Sequence, residues 1–172
     1  DMEIVTYIID GALEHRDNMG NGSVIRRGDV QRMSAGTGVM HSEFNHSDAD
    51  STHLLQIWVL PERDGIEPGY EERTFDDAGK RNQLRLIASR DARGDSLRIH
   101  QDVDLYASIL APDSTLGQAL AAGRVGWVQV VSGSLAVNGE RLSSGDGASI
   151  SGVDHIAFEA FEEAEFLYFD MG

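Results

Sequence analysis

The sequence predicts an all-β protein built as two tandem domains, each a barrel or sandwich, and three observations carry that prediction. Short apolar runs alternate with glycine-rich turns, helix-period patterns are scarce, and one block of strands occurs twice. The repeat is visible when "IIDGALEH" from Ile8 is set beside "VVSGSLAV" from Val130, and "IRRGDVQRMSAG" from Ile25 beside "LSSGDGASISG" from Leu142. Each copy reads as an apolar strand, a glycine, a second strand, a tight turn, a third strand, then Gly-Asp and a fourth strand. Gly11 pairs with Gly133 and Gly28 with Gly145. The copies differ in their central turn, "DNMGNG" in the first and the compact Asn138-Gly139 in the second, a strong hairpin signal.

The remaining elements follow in order. "LLQIWVL" (Leu54 to Leu60) reads as a buried strand stopped by Pro61. "EFLYFDM" (Glu165 to Met171) stands at the corresponding place in the second copy. Between the copies the chain is polar and charge-rich, as a connection would be. The expected organisation is therefore a first barrel over 1–76, a linker over 77–95 and a second barrel over 96–172. Only ten residues precede Gly11, whereas roughly thirty, starting near Leu97, precede Gly133 at the spacing of several short strands. The duplication thus predicts a first barrel truncated at its N-terminus.

Composition narrows the classes of function. With 14 basic against 29 acidic residues the net charge is −15, the opposite of the basic footprint that phosphate-backbone binding requires. No direct nucleic-acid contact and no membrane partner are expected. Cysteine is absent, which removes disulfides, thiolate metal sites and thiol catalysis together. The expected location is cytoplasmic.

The chemistry-bearing stretch is "GTGVMHSEF" from Gly36 to Phe44. On a strand His41 and Glu43 project from the same face, and an unpartnered buried carboxylate is costly. That spacing fits a metal-binding pair, and it equally fits a strand histidine satisfied by a neighbouring carboxylate. Glu3 shares strand parity with Val5, Tyr7 and Ile9, so it reads as a cavity residue or as an exposed strand end. Gln56, polar within "LLQIWV", needs partners if buried and reads as lining a substrate cavity or as pairing with backbone, the cavity being the favoured of the two. His15 sits beside charges at the start of a turn and reads as exposed. His46 has the wrong parity relative to His41, and His53 and His100 have no carboxylate at ligand spacing. His155 stands near the second copy's equivalent position, but Gly117-Gln118-Ala119-Leu120 supplies no partner histidine, so no metal is expected there.

The run from Gly28 through Ser34, Ala35 and Gly36 to His41 resembles the second motif of cupins. Its longer spacing, ending His-Ser-Glu, looks like the pirin family, particularly its bacterial quercetinase-like members. The segment "MEIVTYIIDGALEHRDNMGNGSVIRRGDVQRMSAGTGVMHSEFNHS" is similar to that family nearly throughout, and "DSLRIHQDVDLYAS" is similar to its inter-domain region. The resemblance implies a bicupin, two double-stranded β-helix (jelly-roll) barrels, with one divalent transition metal in the N-terminal barrel. In the family three histidines and a glutamate hold it. Two of those positions match His41 and Glu43, while the His-x-His pair that supplies the others has no counterpart in this sequence. Nitrogen and oxygen donors do not choose among iron, nickel, copper, manganese and zinc.

The activity implied is a metal-dependent dioxygenase that opens the heterocycle of flavonols such as quercetin with O2. Glu43 is the natural base for the substrate hydroxyl. The expected partners are a flavonol-like small molecule and O2, and the expected state is a monomer, because a bicupin pairs two barrels within one chain. Two other functions fit the same residues. One is a redox- or metal-sensing regulator that binds a protein partner, and the other is a fragment whose metal site is incomplete and inactive.

Overall fold

A computed structural model describes residues 1–172. The first seven strands are β1 (Glu3–Asp10), β2 (Ala12–Asp17), β3 (Gly22–Arg26), β4 (Asp29–Ser34), β5 (His41–Asn45), β6 (His53–Val59) and β7 (Gly69–Thr74). A short helix α1 (Asp77–Lys80), β8 (Arg85–Ser89), β9 (Leu97–Arg98) and β10 (Val103–Leu110) come next. The chain then runs through β11 (Thr115–Ala119), β12 (Val125–Ser132), β13 (Ser134–Val137), β14 (Glu140–Ser143), β15 (Gly147–Ile150), β16 (His155–Ala160) and β17 (Ala164–Met171).

The duplication is a duplication of pairing. In the first copy β1 pairs with β4 and β6, and β2 pairs with β3 and β5. In the second, β12 pairs with β15 and β17, and β13 pairs with β14 and β16. The repeated residues do equivalent work. Gly11 and Gly133 have φ of +78° and +75°, and each lies where a side chain would strike a backbone carbonyl, of Ser51 and of Glu163 respectively. Asp29 and Asp146 each accept a backbone N–H from three residues earlier, Arg26 and Ser143, at 2.8 Å in both cases. Each bond closes the turn that carries the Gly-Asp pair by tying its aspartate back to the end of the preceding strand.

Two compact units result, Asp1–Asp76 with Arg90–Gln101, and Asp77–Ser89 with Asp102–Gly172. Residues 77–95, expected as a linker, are largely structured. β8 pairs with β10, and α1 carries Lys80, whose buried ammonium lies 3.0 Å from Asp77 and 3.9 Å from Glu165. The polarity that suggested a connection reflects a buried charge with paired partners, the condition under which lysine is tolerated inside.

In the second unit one sheet runs β15-β12-β17-β10-β8 and the other β11-β16-β13-β14. Alternate residues of both point inward, Val128, Val130, Phe158, Phe166 and Tyr168 among them. Phe158 stacks on Phe166 at 4.9 Å and meets Tyr168 edge-on at 5.7 Å, the geometries that ring quadrupoles favour.

In the first unit the sheets are β6-β1-β4-β7 and β3-β2-β5. Register decides which face is internal. Ile4 stands between Trp58 and Met33, Thr6 between Gln56 and Gln31, and Ile8 opposite Leu54. Ile8 and Leu54 pack with Leu13 and Ile25 of the other sheet, so this face turns toward that sheet, while Gln56 and Trp58 on β6 remain exposed. β6 was expected to be a buried strand. It lies at a sheet edge, with Trp58 65% and the following Leu60 70% exposed.

Glu3 has the opposite parity and lies on the other face, away from Gln56, which corrects its expected place in the substrate cavity. It is 1% exposed. One of its oxygens accepts from the Ser34 hydroxyl (3.1 Å) and the His100 backbone N–H (3.1 Å), with His100 Nδ1 at 3.2 Å. Arg32 joins the same face, donating to Ser34 (2.9 Å) and pairing with Glu71 at 2.6 Å. These bonds tie residues 97–101 to the sheet. Glu3→Ala is expected to cost about 2–4 kcal/mol and to speed amide exchange over 97–101, measured by denaturation and hydrogen exchange; unchanged exchange there would refute the role.

Candidate functional site

The interior of the first unit brings together polar groups from both sheets. β5 pairs with β2 so that His15 stands opposite Glu43 and Asp17 opposite His41, while β3 places Ser23 opposite His15. All project from one face, because paired residues and every second residue along a strand share it. His41 and Glu43 therefore share a wall, as their spacing predicts. His41 is at the exposed start of β5, and the Glu43 side chain is 16% exposed.

Glu43 is the centre of the cluster. The Gln31 amide donates to one of its oxygens at 2.9 Å and the Gln56 amide to the other at 2.8 Å. His15 Nδ1 lies 3.7 Å from the same carboxylate, and Nε2 lies 3.3 Å from Asp17. The His15 ring is completely buried, against the exposed position its charged neighbours suggested. It stacks between Tyr70 (centroids 4.7 Å apart) and His41 (5.8 Å), and this aromatic cover is why a histidine amid charges lies inside.

Tyr70 links the sheets. Its hydroxyl is 2.6 Å from Glu72, 3.2 Å from Gln31 and 2.5 Å from the Ser23 hydroxyl. Burial, reinforced by the hydrogen bond to Glu72, pushes its phenol well above the ordinary value, so it stays protonated and serves as a donor. Two further polar atoms in this interior, Thr6 Oγ1 and His15 Nδ1, are buried without a hydrogen-bond partner.

Asp17 anchors the "DNMGNG" turn that distinguishes the first copy. It accepts from the Met19 and Asn21 backbone N–H groups, both at 2.9 Å, and from the Asn21 amide at 2.7 Å. Burial works to raise this carboxyl, but the bonds from Asn21, His15 and Met19 outweigh it and hold it below its ordinary 3.8. The bonds favour the charged form. Its contribution to stability is thus complete above pH 3.8 and is lost as pH falls through the lower folded value. Urea denaturation should show the gap between the protein and Asp17→Asn to be wide at about pH 6 and to narrow at about pH 3; a constant gap would contradict this.

Of the residues singled out from sequence, the structure bonds Gln56 to Glu43, sets His41 on the same face of β5 in ring contact with His15, and leaves Glu3 elsewhere. Gln31, His15, Tyr70 and Thr6 were missed. The one local signal was Gln31, a polar residue sharing parity with the inward Met33 of β4. As a metal centre the set falls short. His41 and Glu43 offer two donors, whereas open transition-metal sites use three protein ligands and closed ones four. No group of three or more His, Asp or Glu side chains is arranged to hold a metal ion. The residues of this chain do not by themselves fit one.

Comparison with known proteins agrees with the duplicated jelly roll and the His-Ser-Glu strand. The pirin family profile matches residues 1–59, and the profile of the quercetinase C-terminal cupin domain matches residues 86–171. Quercetin 2,3-dioxygenase of Escherichia coli K12 is 45% identical over 172 residues, 99% of this chain and 73% of that protein. The chain belongs to the pirin family. A pirin-like protein of Caulobacter vibrioides is 39% identical over 99% of this chain and 73% of its own length. Among solved structures, YhhW from Escherichia coli superposes with a TM-score of 0.96 at 44% identity, covering 100% of this chain and 72% of that one. The same pirin has been solved in complex with nickel(II), with a TM-score of 0.93 at 43% identity and coverage of 99% and 72%. The fold is that of a pirin bicupin, no helix is long and apolar enough to cross a membrane, and its relatives bear the name of a dioxygenase.

Proposed function

We propose that this pirin acts on flavonol-type substrates as a dioxygenase, with Glu43 as the base. The observation that carries the reading is a carboxylate suspended between two amides on the inner wall of the first unit, in a family whose relatives are named for quercetin. Glu43 would take the proton of the substrate's enolic hydroxyl, leaving an electron-rich anion. That anion would react with O2, opening the heterocycle and releasing carbon monoxide. The fully buried His15 lies 3.7 Å from the carboxylate, so on that side the proton would be taken out of contact with bulk water.

His41 and Glu43 are the positions that would contact a divalent metal. Two donors do not close such a site, so no step is assigned to a metal on the residues of this chain. The donor count favours a second reading, in which this chain binds the flavonol without turning it over. Incubation with quercetin and O2, following loss of flavonol absorbance and release of carbon monoxide, separates the two when run beside metal analysis of the dialysed protein. Binding without turnover at any metal supplied would refute the enzymatic reading.

A further inference from the structure

We propose that Gln31 and Gln56 are positioning residues that fix the plane of the Glu43 carboxylate, and that Trp58 sets the orientation of Gln56. The inference rests on Glu43 as the reacting base. Thr6 pairs in register with both glutamines, one on β4 and one on β6, so their side chains stand on either side of it on one face. Each amide reaches a different oxygen of Glu43, at 2.9 and 2.8 Å. The terminal torsion of a glutamate is a broad, roughly two-fold rotor. Two N–H donors on separate oxygens remove that freedom before substrate arrives, the kind of orientation that otherwise has to be found during reaction.

An amide can turn either its oxygen or its nitrogen toward a carboxylate, and only the nitrogen side attracts it. For Gln56 an outer group settles the sense. Trp58 Nε1 lies 3.1 Å from Gln56 Oε1, and an indole nitrogen is a donor only. The Gln56 oxygen therefore turns to Trp58 and its NH2 to Glu43. On the other side Gln31 Oε1 lies 3.2 Å from the Tyr70 hydroxyl, whose single proton goes to Glu72 at 2.6 Å, so the sense of Gln31 is set by the Glu43 carboxylate itself. Gln31 has no exposed surface and cannot swing away. The row Trp58–Gln56–Glu43–Gln31 thus crosses both sheets of the first unit, with the sense of Gln56 fixed by Trp58.

Nitrogen-15 NMR tests the clamp independently of activity. The chain has two tryptophans, so Trp127→Phe assigns the Trp58 indole N–H signal. Gln56→Leu should move that signal, because its acceptor is gone, and Glu43→Leu should move it by releasing Gln56. An indole signal unmoved by Gln56→Leu overturns the proposal. Kinetics test the role. Each of Gln31→Leu and Gln56→Leu should lower kcat about tenfold, the effect of losing a hydrogen bond to a charged group, with KM for quercetin little changed. Trp58→Phe, which keeps an aromatic ring and removes the N–H, should lower kcat alone and add nothing to Gln56→Leu. A raised KM with kcat intact would make the glutamines substrate contacts and overturn the proposal. Absence of turnover in the unaltered protein would instead overturn the dioxygenase reading, and the indole signal then decides the clamp.

Discussion

Replacing Glu43 with glutamine is expected to lower flavonol turnover by about 10²- to 10⁴-fold, the usual contribution of a positioned general base, while leaving the fold intact. Glutamine nearly matches glutamate in shape, so packing against His15 survives. Two things are lost. The amide cannot accept the substrate's proton, and its own NH2 meets the NH2 of either Gln31 or Gln56, each of which now bonds a carboxylate oxygen. The signature is a collapse of kcat far beyond what the accompanying drop in thermal midpoint, about 5–10 °C from one unpaired donor, would explain. Turnover within a few-fold of the parent would remove Glu43 from the chemistry and leave the two-amide arrangement as a purely structural device.

Gly133→Ala should produce a large loss of stability in the second unit. The residue has φ +75°, and an added Cβ would collide with the Glu163 carbonyl oxygen and lie 3.0 Å from Ala164 Cα. The left-handed conformation costs an alanine about 1 kcal/mol. Forcing two backbone segments apart adds about 1–3 kcal/mol, lowering the midpoint by about 10 °C or more for a unit of this size. Gly145→Ala is the control. Its φ is +89° but nothing lies within 4 Å of the added atom, so only the conformational cost of about 1 kcal/mol remains. Equal losses at both positions would show that conformation alone, and no close approach, explains the repeated glycine.

These expectations sort by how local their causes are. The paired glycines, the Gly-Asp turns and the alternation of strands were readable because each depends on a few consecutive residues. Parity within β5 likewise placed His41 and Glu43 on one wall, since side-chain direction alternates along a strand. Parity within β1 was equally visible for Glu3, but which parity faces inward was not. That depends on the register Thr6–Gln31 and Thr6–Gln56, and a shift of one residue would have exchanged the two faces. The polar run 77–95 misled for a related reason: Lys80 is buried beside Glu165, which comes from the last strand and is remote in sequence.

His15 shows the limit most clearly. Its neighbours Glu14, Arg16 and Asp17 are charged, and alone they describe a solvent-facing turn. Only the closing of two sheets, which brings Tyr70 from β7 over the ring, makes it a buried partner of Glu43. The order of amino acids by itself determined the duplicated strands, their turns and the placing of one imidazole and one carboxylate on the same face of a strand. The tertiary structure alone decided which distant amides hold that carboxylate and which conspicuous acid, Glu3, stands on the far side of the sheet. Turns and alternation are set within a few bonds, whereas cross-strand register and the facing of two sheets are set by contacts between residues tens of positions apart.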